Sequence, residues 1–302
     1  MMRTARSGPP PRRGGRALDL ATQTWVRLTG RLLNLREQSW LDGPWHEPDV
    51  LDSTWVYRAA TRLAASVKAE PDSGLLPDLR VLAGDRFSPE RVDPRIADFY
   101  QHTASWRLEM WSQWTVLGWP LGWALTALFS RRLRQLSLPL RGLDTSRGLD
   151  SQVLVVAGDG GHRYGAAWLR QLRATGQSSF SGWYGAVTLP GQRQPSVRVV
   201  FPLPNGNLTI LLRPSVLPDG GLRLWSPPGE FGADGAYLVV RADDEQHAWV
   251  RRVPLHECFE LYVDAEGVLR TNHDLRLWNM PLLALHYRLN RLGPSQLPDG
   301  PR

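Results

Sequence analysis

The chain has 302 residues, long enough for one large domain or two smaller ones with an ample core. Its formal charge of +7 rests on 36 basic residues, of which only Lys68 is lysine. They are scattered, Arg131, Arg132, Arg134 and Arg141 being the nearest thing to a cluster, so the charge reads as codon bias rather than a nucleic-acid stripe. A single cysteine, Cys258, excludes an intrachain disulfide and a cysteine-rich zinc site, and a reducing, cytoplasmic setting is expected, with membrane association left open.

Residues 1–16 are rich in Pro, Gly and Arg and are followed by no apolar run of signal-peptide length, so they are expected to form a disordered basic arm. A helical, Trp-rich region is expected over residues 17–140. Its first helix spans about 17–38, with Leu18, Trp25, Leu28, Leu32 and Leu35 at helical spacing and a weak break at Gly30. A loop over 40–52 leads to a second helix capped by Ser53, with Val56, Ala60, Leu63 and Val67 on one face. The third is the best defined: Asp93 caps it, Pro94 suits its first position, and Ile96, Phe99, Thr103, Trp106 and Met110 mark its apolar side. Asp98, His102 and Glu109 on that helix form either a solvated polar face or a small acid–imidazole cluster.

Residues 114–129 carry no charge, are too short to cross a bilayer, and are interrupted by Gly118, Pro120 and Gly122. A buried core segment, an interfacial anchor and a lid over a cavity all fit this stretch. Trp111, Trp114, Trp119 and Trp123, followed by arginines, keep a membrane surface in play as a partner of residues 111–134.

Beyond Pro139 the period becomes alternating and turn signals recur. An antiparallel domain of about ten strands is expected over 141–292, barrel-like or sandwich-like, with a disordered tail over 293–302. The strands are read at about 152–157, 163–172, 180–189, 196–204, 207–213, 222–226, 236–242, 247–253, 258–264 and 268–277, and 280–292 closes as a helix or a further strand. Asn205-Gly206 predicts a two-residue hairpin turn in which Leu203 faces Leu208 and Phe201 faces Ile210, with the opposite side mostly wet. The whole is an α+β chain: helical N-terminal part against a β domain. The Gly158-Asp159-Gly160-Gly161 run reads as a tight turn.

Chemistry concentrates in the hairpin Phe259 to Leu277. Leu269, Thr271, His273, Leu275 and Leu277 share one side, so an interior leucine face would carry Thr271 and His273 inward, where each needs a partner. Thr271, His273, Trp119 and Trp123 are therefore the candidate ligand-binding residues. The first functional reading is a non-enzymatic binding protein whose sheet encloses an apolar small molecule or acyl chain. The second is a hydrolase or isomerase for a hydrophobic substrate, using His273 with Glu257 or Asp274. The third is an interaction protein with a filled core. No nucleophile elbow, metalloprotease helix, phosphate loop or dinucleotide fingerprint occurs, and no metal or cofactor is expected.

Overall fold

The computed structural model describes residues 13–46, 54–114, 149–172 and 178–293; most of the segments expected as N-terminal arm, C-terminal tail and uncharged 114–129 stretch lie outside these residues, but residues 13–16 of the expected disordered arm are the first turn of a helix. Three α-helices are described, α1 (Arg13–Thr29), α2 (Trp55–Arg62) and α3 (Pro94–Gln101). The strands before the long gap are β1 (Arg31–Asn34), β2 (Ser66–Lys68) and β3 (Trp106–Trp114). After it come β4 (Leu149–Ala157), β5 (Arg163–Leu172), β6 (Ser178–Thr188), β7 (Pro195–Leu203), β8 (Gly206–Val216) and β9 (Leu222–Trp225). The last five are β10 (Gly235–Arg241), β11 (His247–Val253), β12 (Leu255–Val263), β13 (Leu269–Leu277) and β14 (Met280–Arg291). All ten expected strands form, and 280–292 closes as a strand.

These fourteen strands make one open, antiparallel sheet that branches at β8. The first half of β8 lies between β7 and β10, while Arg213–Val216 leaves β10 and pairs β9. One wing therefore runs β2-β4-β5-β6-β7-β8-β10-β11-β1 and the other β8-β9-β12-β13-β14-β3. No pairing joins β2 to β3, so the barrel form of the expectation is not made. Val199, Phe201, Leu208 and Ile210 from the first wing and Leu261, Leu269 and Leu289 from the second belong to one common core where the wings face one another.

The N-terminal part is less helical than its spacing predicts. Helix α1 stops at Gly30, whose amide donates to the Val26 carbonyl at 2.7 Å, and the next four residues pair with β11. Val67, expected on the second helix, sits in β2. Helix α3 has the expected Asp93 cap, which accepts from the Arg95 amide, but it ends at Gln101. Trp106, Leu108 and Met110 are buried while Arg107, Glu109 and Trp111 are exposed, so this stretch has the period of a strand and pairs with β14. Positions 106 and 110 fit a helix by coincidence of spacing, and the sheet edge at β14 decides the outcome.

The central hairpin also departs from its expectation. Leu203 pairs with Gly206 and Phe201 with Leu208, a register two residues tighter than predicted, with Asn205 at φ +60° as a loop residue. Gly206 is inside the strand, where an added Cβ would overlap the Val239 carbonyl oxygen of β10. Close packing of two strands, rather than turn geometry, requires this glycine. The shift by two keeps every side chain on its predicted face.

The other face, however, is dry. Val200 lies under Trp55 and Val56 of α2, and Leu211 under Leu35, Trp40 and Leu41 of the segment after β1. Its polar residues are partly satisfied there: Thr209 Oγ1 donates to Asn207 Oδ1 at 2.8 Å, and the Arg198 guanidinium donates to the Asp42 carbonyl at 3.1 Å, while Asn207 Nδ2 and Arg198 Nε make no hydrogen bond. Hydrogen bonds to the covering chain are what allow such residues to be buried.

Candidate functional site

A cavity of about 190 Å³ lies between the wings. Alternation on β12 turns Leu255, Glu257, Phe259 and Leu261 toward it, and the register of β13 sets His273 opposite Phe259 and Thr271 opposite Leu261. On β14, Leu285 pairs with His273 and Tyr287 with Thr271, so these side chains share that wall. The facing wall comes from Trp168 and Arg170 of β5, Phe180 and Tyr184 of β6, and Phe201 of β7, with Phe99 and Tyr100 of α3 at its end. Gly182, the register partner of Trp168, leaves room for the rings of Phe180 and Phe201, which an added Cβ would meet at 3.1 and 3.4 Å. The interior between the wings is thus not solidly packed, which was the premise of the filled-core reading.

The wall is nearly all leucine and aromatic, with a polar group set into it. His273 Nε2 stands 3.7 Å from Glu257 Oε2, and both side chains are close to nine-tenths buried. The imidazole stacks on Phe259 with centroids 3.8 Å apart and an interplanar angle of 17°. Both ring nitrogens are buried and make no hydrogen bond. Burial, with a smaller contribution from the nearby Arg170 cation, pushes His273 down to about 3, and burial pushes Glu257 up to about 7. Near neutral pH the pair is therefore a neutral imidazole beside a carboxyl that holds its proton about half the time.

Across the cavity, the Arg170 guanidinium lies over the rings of Trp168 at 4.8 Å, Tyr287 at 5.7 Å and Phe180 at 5.8 Å. Aromatic faces compensate part of the cost of desolvating a cation. Tyr287 is hydrogen-bonded to Arg170, and burial raises the phenol's pKa more than that arginine lowers it. Arg170 thus ties the first wing to the second, and the cavity carries its positive charge.

Of the residues singled out from sequence, Thr271 and His273 line the cavity together, and Glu257 joins them. Asp274 is exposed on the opposite side of β13 and is not part of the group. Trp119 and Trp123 lie outside the described residues. Asp98, His102 and Glu109 are dispersed: Asp98 accepts from Trp106 Nε1 and Arg291, His102 Nδ1 lies 2.8 Å from Asp72, and Glu109 pairs in register with Arg288. The helix that would have aligned them ends at Gln101.

Sequence reading missed Arg170, Tyr184 and Tyr287. The signal for Arg170 was its place in the series Ala166, Trp168, Arg170, a charge on an apolar parity. Ala167 and Leu169 make the other parity equally apolar, so the inward face of β5 was ambiguous.

No family model matches the sequence, and no solved structure matches it. The chain is similar to the uncharacterized membrane protein YndJ of Bacillus subtilis (strain 168), with 26% identity over 238 residues. That match takes in 76% of this chain and spans 40% of the relative's length. Among the described residues no helix is long and apolar enough to cross a membrane.

Proposed function

We propose that this chain is a binding module that holds a small apolar or amphipathic molecule between the two wings of its sheet. The observation that carries the reading is the cavity of about 190 Å³, walled by leucine and aromatic side chains, with a few convergent polar groups. An apolar cavity of roughly 150 Å³ suffices for benzene, with its six heavy atoms, so roughly eight heavy atoms of ligand fit here. Its polar set is too small for a sugar or nucleotide and is placed to orient one end of an otherwise apolar ligand.

Titration of the purified protein with butanol, hexanol and octanol, followed by thermal unfolding and calorimetry, tests this. Saturable one-to-one binding with a rise in Tm is expected, because a ligand bound only by the folded state stabilises it. Folded protein that binds none of these alcohols would refute the reading.

One observation favours a second reading, that of an enzyme acting on a hydrophobic substrate: the 3.7 Å approach of His273 and Glu257 in a dry cavity, with their pKa values pushed apart. Turnover of neutral aliphatic esters or enolisable ketones that disappears in Glu257→Gln supports it, and inertness of the wild-type protein toward both counts against it.

The proposal extends to a membrane setting, which the relative's printed name supports. Helix α1 exposes Leu20, Trp25 and Leu28 alongside Arg27, a composition suited to an anionic interface. Co-sedimentation with anionic vesicles, lost in Leu28→Asp, is the expected result; equal recovery with and without vesicles would exclude it.

A further inference from the structure

We propose that the ligand of this cavity ends in a single neutral hydroxyl, which bridges His273 Nε2 on β13 and the Glu257 carboxyl on β12, with its aliphatic remainder among the leucines of β13 and β14. This rests on the binding reading above and adds to it the chemistry of the ligand's head.

The spacing of the pair leaves a place for one oxygen. His273 Nε2 and Glu257 Oε2 are 3.7 Å apart, too far for a hydrogen bond, yet near enough for one atom to stand about 2.8 Å from both. Both side chains line the cavity, so a molecule held there reaches them. Stacking on Phe259, with 17° between the planes, fixes the plane in which the two ring nitrogens lie. Both nitrogens are buried and make no hydrogen bond, so their desolvation is offset by nothing in the chain itself.

The pair calls for a group that donates and accepts at once. Burial above all holds His273 neutral, and burial raises Glu257 to about 7. Near neutral pH the imidazole therefore has one N–H and one bare nitrogen, and the carboxyl is divided between its acid and its anion. With a proton on one side of the gap and a lone pair on the other, a hydroxyl accepts from the first and donates to the second. An ether oxygen only accepts, and an alkyl end leaves the pair unsatisfied.

A charged head fits less well, because a carboxylate or an ammonium would meet the same desolvation that pushes Glu257 toward its neutral form. The rest of this wall suits a tail. Leu275 follows His273 on the same face of β13, and Leu283 and Leu285 pair in register with Leu275 and His273.

The test compares heptanol with its isomer hexyl methyl ether by calorimetry on the full chain at pH 7. The alcohol is expected to bind about tenfold more tightly, the advantage of one buried hydrogen bond over an unpaired donor or acceptor. His273→Leu is expected to bring the alcohol down to the ether while leaving the ether unchanged. Should His273→Leu fail to fold, Glu257→Met serves, with the same loss for the alcohol alone. An ether that binds as well as the alcohol to the wild-type protein would overturn the inference, as would an alcohol preference that survives in a folded variant. Tighter binding of heptanoate or heptylamine than of heptanol would overturn it too. Each of these results leaves the cavity reading intact, whereas absence of binding by alcohol and ether alike would overturn both.

Discussion

His273 Nε2 on β13 lies 3.7 Å from Glu257 Oε2 on β12, both side chains facing an apolar cavity and both burdened by desolvation in opposite directions. That relationship makes stability depend on pH in a way that can be dissected. Glu257 titrates at about 7 when folded against an ordinary 4.5, so the folded state binds the extra proton and stability falls as pH rises from 4.5 to 7. His273 titrates at about 3 against an ordinary 6.5, so the unfolded state binds the extra proton and stability rises with pH from 3 to 6.5. The two slopes oppose each other between 4.5 and 6.5. Urea unfolding of wild type and Glu257→Gln across this range should show their stability difference falling by about 1.4 kcal/mol per pH unit between 4.5 and 7. A difference that does not move with pH would mean that the carboxyl titrates normally.

Filling the cavity should separate binding from folding. Leu275 is half-buried at the wall, and Leu275→Phe adds volume where space exists. Octanol affinity should drop about tenfold while stability changes by less than about 1.5 kcal/mol, since the larger ring displaces no packed neighbour. Unaltered affinity in a folded variant would place the ligand elsewhere.

The turn of the central hairpin allows a paired test of what its two residues do. Gly206→Ala forces a Cβ against the Val239 carbonyl and should cost about 1–3 kcal/mol in chemical denaturation. Asn205→Gly, at φ +60°, should change stability by less than about 1 kcal/mol. Equal effects would show that the turn, and not the β8–β10 approach, is what requires glycine.

Asp234 is fully buried where β8 leaves one wing for the other. Its carboxylate accepts from Ser196 Oγ at 2.5 Å and from Arg213 Nε at 2.9 Å. Asp234→Ala leaves the arginine without its counter-ion and should cost about 3–5 kcal/mol, against about 1 kcal/mol for Ser196→Ala. The unfolding midpoint in urea distinguishes the two, and a mild effect of Asp234→Ala would show that the branch of the sheet does not depend on this pair.

Alternation and turn chemistry by themselves determined most of the β domain. Each run from 152 to 277 carries enough β-branched and aromatic residues, and ends in enough Asp-Gly or Asn-Gly turns, for strands to be placed within a few residues. The inward parity of Thr271 and His273 followed from the leucines beside them. What the tertiary structure decided were the features that depend on a distant partner. Residues 106–114 became a strand because β14 presented a free edge, and residues 31–34 because β11 did. The outer face of the hairpin became dry because α2 and residues 35–41 cover it. Arg170 lines the same cavity as Glu257 and His273 only because β8 divides its hydrogen bonds between two wings and brings β5 opposite β12–β14. Local sequence sets the period of a strand, whereas which face is buried, and which charges meet across a cavity, depends on contacts between residues far apart in the chain.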